Sequence, residues 1–77
     1  MIKLRLQTSN ERKQLIVDPS VQPMDILNEN EVILEGASVN LNGIQLTRQE
    51  FTQPLIDLLP PNTESATLSV VVKTGNA

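Results

Sequence analysis

The sequence predicts an α+β fold: a mixed sheet of four to five strands with one short helix and a 3₁₀ or similarly short helical turn. Three observations predict it. Ile2, Leu4 and Leu6 alternate with Lys3, Arg5 and Gln7, Asn42-Gly43 separates two short extended runs, and a long β-branched run closes the chain over Ala66–Lys73. Alternation of period two marks a strand with one face buried and one face wet. An Asn-Gly pair between extended runs is the strongest short hairpin signal, because both turn residues must take positive φ.

The elements follow in order. Gln14–Val17 answers the first strand across the polar turn 8–12, which makes an N-terminal hairpin with Leu15 and Val17 facing the core. Asp18-Pro19-Ser20 stops it, since proline donates nothing to a ladder and restricts the residue before it. A two-turn helix then starts with Ser20 as cap and Pro23 in its first turn, placing Met24 and Leu27 inward with Ile26 beside them. Asn28, Asn30, Glu29 and Glu31 weaken its end, because carboxylates oppose the helix dipole there. Val32–Leu34 is expected as a short strand, with a wholly irregular segment over 21–34 as the alternative to helix and strand. Glu35-Gly36-Ala37 turns into Ser38–Leu41, and Ile44–Leu46 returns from Asn42-Gly43. Thr47-Arg48-Gln49-Glu50 fits a capping box, Phe51 packs inward, and Pro54 and Pro60-Pro61 bracket the apolar run Leu55–Leu59. In the last strand Leu68, Val70 and Val72 point one way and Thr67, Ser69, Val71 and Lys73 the other, at a length that suits a central position. One domain over 1–73 and a flexible tail over 74–77 are expected.

Composition excludes more than it assigns. With no cysteine and no histidine among 77 residues, disulfides and thiolate or imidazole metal sites are ruled out. The carboxylates lack calcium-loop spacing, so neither metal nor cofactor is expected. The serines and threonines have no histidine or cysteine partner, and Gly36 and Gly43 are isolated turn glycines without a phosphate cradle, so the chain is not expected to be an enzyme. Phe51 is the sole aromatic and the net charge is −3, which argues against nucleic acid. The first residues alternate instead of forming an apolar block, and no run approaches the ~20 residues of a membrane span. No membrane association and a cytoplasmic location are expected.

The segment order is that of a β-grasp domain. The opening MIKLRLQTSNERKQLIVDPS resembles the N-terminal hairpin of ubiquitin, including the exit Val17-Asp18-Pro19-Ser20. The stretches GASVNLNGIQLTRQEFTQPL and ATLSVVVKTGNA are similar to the bacterial sulfur carriers, the ThiS/MoaD-like proteins, with Asn42-Gly43 at the family's turn and Leu68–Val72 in its last strand. The resemblance implies a ubiquitin-like fold. For conjugating or carrier members it also implies a terminal Gly-Gly; this sequence reads Gly75-Asn76-Ala77, so carrier chemistry is not expected to carry over.

A non-catalytic protein-interaction module, an adaptor or small regulatory subunit, is therefore the first expectation. A β-grasp sheet has one side under its helix and one open, and the alternation puts Ile16 and Val71 on the open side with Lys3, Arg5 and Lys73. Ile44 joins them if its hairpin bends inward. These six residues form the expected partner patch, apolar at the centre and basic at the rim. A self-assembling structural protein pairing through Val32–Leu34 or Ile44–Leu46 is a second reading. A degenerate or processed sulfur carrier is a third.

Overall fold

A computed structural model describes residues 1–72. The chain runs β1 (Ile2–Gln7), β2 (Arg12–Val17), α1 (Pro23–Glu29), β3 (Ala37–Leu41), β4 (Ile44–Gln45), a 3₁₀ turn (Gln49–Thr52), α2 (Leu55–Leu58) and β5 (Ser65–Val72). The five strands form one mixed sheet in the order β2-β1-β5-β3-β4. β5 is central as expected, parallel to β1 and antiparallel to β3. Lys73 and the expected tail, 74–77, lie outside the described residues.

The alternation read in β1 sets the layering. Ile2, Leu4 and Leu6 are buried while Lys3 and Arg5 are exposed. Leu15 and Val17 sit opposite Leu4 and Ile2 on the covered side. Lys13 falls opposite Leu6 on that same side, so its stem lies over apolar surface while its ammonium reaches Glu11 at 3.3 Å. The hairpin turn is held by Thr8, whose N–H donates to the Glu11 carbonyl at 2.9 Å and whose Oγ1 accepts from the Asn10 and Glu11 amides.

The helix forms over the expected span but is capped and rotated differently. Gln22 precedes its first turn without a side-chain cap. Ser20 is instead held in the turn, both its N–H (2.9 Å) and its hydroxyl (2.7 Å) donating to Asp18 Oδ1. The buried stripe is Pro23, Ile26 and Leu27, at helical spacing, and Met24 is only half-buried. Asn30 Nδ2 donates to the Ile26 carbonyl at 2.7 Å, and Glu31 takes φ +57° so that the Val32 N–H reaches the Leu27 carbonyl at 2.9 Å. The residues that weaken the helix end thus build its stop.

That stop overturns the strand expected at Val32–Leu34. The segment pairs with no strand: Val32 and Leu34 pack half-buried against the core, Ile33 is exposed, and β3 begins only at Ala37. The Asn42-Gly43 hairpin is as expected, with φ +51° and +85°. Asn42 is also pinned to β5, its N–H donating to the Thr67 carbonyl (2.8 Å) and its Oδ1 accepting from the Thr67 N–H (2.9 Å).

The capping box is present: the Thr47 N–H donates to Glu50 Oε1 at 2.8 Å and the Glu50 N–H to Thr47 Oγ1 at 3.4 Å. Thr47→Ala should lower stability by about 1 kcal/mol in urea denaturation; no change would mean that water replaces the bond at no loss. Phe51 leans on the core half-buried, and α2 is fastened to the segment before α1 by Leu55 N–H to Val21 O and Ile56 N–H to Pro19 O, both 2.9 Å. Leu4, Leu6, Ile26, Leu27, Leu55 and Leu68 fill the space between the helices and the sheet.

Asp18 is a perturbed acid. The two donors from Ser20 hold its carboxyl below the ordinary carboxylate value. Folded-state lowering means that the contribution is present above the unfolded pKa, about 3.9, and fades as pH falls through the lower folded value. In an NMR titration Ser20→Ala, which keeps the backbone N–H and removes the hydroxyl, should raise the Asp18 midpoint part of the way toward ordinary; an unmoved midpoint would show that the hydroxyl contributes nothing.

Candidate interaction surface

Among the described residues the helices, the 3₁₀ turn and their loops cover one side of the sheet and leave the other bare. Strand register assigns the bare side row by row. Ile16, Lys3 and Ser65 form one row; Gln14, Arg5 and Thr67 the next, with Asn42 bonded beside Thr67; then Arg12, Gln7, Ser69, Asn40 and Gln45; and finally Val71 with Ser38. The rows are polar, with the aliphatics at two corners.

This register regroups the expected patch. Lys3, Arg5 and Ile16 come together, Lys3 directly opposite Ile16. Val71 does share the bare side, but it stands six residues along β5 from Ser65, about 20 Å from the Lys3–Ile16 row at about 3.3 Å per residue. Ile44 pairs with Leu41, whose side chain is in the core, so Ile44 belongs by register to the covered side, 73% exposed at the sheet margin. One apolar centre therefore does not form. The residues missed are Arg12, Gln14, Thr67 and Asn42; continuing the alternation of the first two strands through Arg12 and Gln14 would have found half of them.

A shallow open cleft of about 330 Å³ crosses this side between β2 and β5, lined by Lys3, Arg5, Gln14, Asn42 and Thr67 among others. A second depression, between Ile2, Pro19, Ile56, Leu59 and Pro60 at the opposite layer, is more apolar. Among the described residues no cluster of histidine, cysteine or carboxylates could hold a metal, and no buried side-chain polar atom lacks a partner. No helix among them is long and apolar enough to cross a membrane.

Solved structures share this arrangement from end to end. A ubiquitin-like protein from Trypanosoma brucei matches with TM-score 0.69 at 21% identity, over 95% of this chain and 95% of its own. The fold is the ubiquitin-like β-grasp. A ubiquitin-like domain from Arabidopsis thaliana matches the β-grasp chain with TM-score 0.68 at 14% identity, over 99% of this chain and 82% of its own. The thiamine biosynthesis protein ThiS from Geobacter metallireducens matches with TM-score 0.59 at 18% identity, over 95% and 99%. These identities speak for the fold alone. No protein-family model matches the β-grasp chain, and neither does any curated protein sequence.

Proposed function

We propose that this chain is a non-catalytic ubiquitin-like interaction module, an adaptor or small regulatory subunit that binds another protein through the bare side of its sheet. The observation that carries the reading is that bare side: all five strands present exposed or half-exposed polar side chains in register, and among the described residues no element lies over them. A rigid five-stranded platform loses little conformational entropy on binding, which suits it to recognition. With neither histidine nor cysteine in the sequence, the chain supplies no imidazole or thiol for catalysis.

Affinity capture from native extract, with the protein immobilised through the Glu35–Gly36 turn and both ends free, tests the reading. The expected result is a stoichiometric protein whose protection footprint falls on β1 and β5. A footprint over α1 and α2, or no captured protein, would sink it.

Two further readings each have one observation in their favour. Similarity to ThiS favours a processed sulfur carrier, and intact mass of the native protein decides it: a C-terminal thiocarboxylate supports it and an unmodified end removes it. Of the two segments expected to self-pair only Ile44–Gln45 is an edge strand; its outer edge and that of β2, six residues long, are unpaired among the described residues and favour self-pairing. Sedimentation as a monomer at both low and high concentration removes that one.

A further inference from the structure

Charge in this chain is segregated by element. It has nine carboxylates, and none lies in a strand; all are in turns, loops and helical segments. The strands carry Lys3, Arg5, Arg12 and Lys13. Lys13 lies on the covered side and is paired with Glu11. Lys3, Arg5 and Arg12 lie on the bare side, all exposed, and none makes an ion pair among the described residues. An acidic chain thus shows a locally positive sheet face.

Arg5 stands at its centre. Register surrounds it with Gln14 and Thr67 directly opposite, Lys3 and Gln7 along its own strand, and Arg12, Ser65 and Ser69 on the diagonals. Every neighbour is cationic or neutral. Asn42 closes the row, its carbonyl oxygen committed to the Thr67 N–H and its amide N–H₂ making no bond within the described residues. The row offers an arginine fork flanked by amide and hydroxyl groups, a donor set suited to a carboxylate.

Spacing adds a second constraint. Lys3 and Arg5, two apart on one strand, repeat at about 7 Å, and an extended peptide with acidic residues at alternate positions presents carboxylates at that same repeat. Nucleic acid fits less well, because the chain is net negative and its sole aromatic, Phe51, is half-buried on the covered side. We propose that the β2-β1-β5 face, centred on Arg5, docks an extended acidic segment of a partner protein, with Ile16 as the apolar contact beside Lys3. This rests on the interaction reading above and names the chemistry of its partner.

The test is an NMR titration of the full chain with a synthetic alternating Glu-Ser peptide at low and at physiological salt. Saturable shifts are expected at β1, β2 and β5 amides around Arg5, with affinity falling as salt rises. Arg5→Glu should weaken binding at least about tenfold, and Arg12→Glu, at the strand end, should weaken it in the same direction while leaving the fold intact. Asp57→Asn, on the covered side, should leave affinity unchanged. Absence of saturable shifts, shifts centred on α1 or α2, unaltered affinity in both charge reversals, or tighter binding of oligothymidylate would each overturn the inference. Those results would leave standing a native partner footprinted on the sheet, so the two readings fail separately.

Discussion

Leu68→Ala is expected to remove most of the stability of this protein. Leu68 is fully buried in the central strand, opposite Leu6 on one side and Leu41 on the other. Truncating such a leucine costs about 2–5 kcal/mol, the lost transfer energy plus the cavity left behind. A single small core without disulfides holds on the order of 5 kcal/mol in total, so the variant should be largely unfolded or melt far below the parent. Urea denaturation followed by circular dichroism measures it, with Val71→Ala as control. Val71 is half-exposed on the bare side and should cost about 0.5 kcal/mol or less. A larger loss at Val71 than at Leu68 would mean that the two sides of β5 are assigned the wrong way round.

Ile26→Ala should cost nearly as much, about 2–4 kcal/mol, and Met24→Ala about 1 kcal/mol or less. The pair tests how α1 is rotated on the sheet. Ile26 and Leu27 are both essentially inaccessible while Met24 is half-buried. A larger loss at Met24 than at Ile26 would turn the helix to the face that the apolar spacing of Met24 and Leu27 alone suggests.

The rotation of α1 shows where the sequence is hard to read. A two-turn helix has too few positions to define a stripe. Pro23 counts in the sequence as a starting signal, yet it is also a buried member of the stripe with Ile26 and Leu27. Val32–Leu34 reads as a strand because β-branched and aliphatic residues are common to strands and to tight core-packed loops. What decides against it is the tertiary setting: β3 already has β5 and β4 as neighbours, and the helix stop at Glu31, with Val32 and Leu34 packed on the core, holds the segment off the sheet. By contrast the hairpin, the Asn42-Gly43 turn, the Thr47–Glu50 box and the central strand were legible. Each is written in local chemistry: alternation, positive φ, reciprocal capping or a sustained β-branched run.

The candidate site was legible in half. Alternation along β1 and β2 assigns Lys3, Arg5 and Ile16 to the bare side without any tertiary information. The separation of Val71 from Ile16 depends on the parallel register of β1 with β5, which no local pattern encodes. The side assigned to Ile44 depends on its pairing with Leu41. Once register is known, the face changes from an apolar patch with a basic rim to a polar, cationic platform with aliphatic corners.

The acidic partner inferred for that platform predicts strong salt sensitivity, because all three cations are exposed and screened within about a Debye length. A partner bound chiefly by aliphatic burial would be little affected. The most direct measurement of the central claim is photo-crosslinking in cells that make the protein, with the crosslinker placed at Gln14 on the bare side or at Ile56 on the covered side. Both positions are exposed. The account predicts one protein crosslinked from Gln14, lost when Arg5→Glu is added, and none in common from Ile56. A partner captured from Ile56 and not from Gln14 would contradict it.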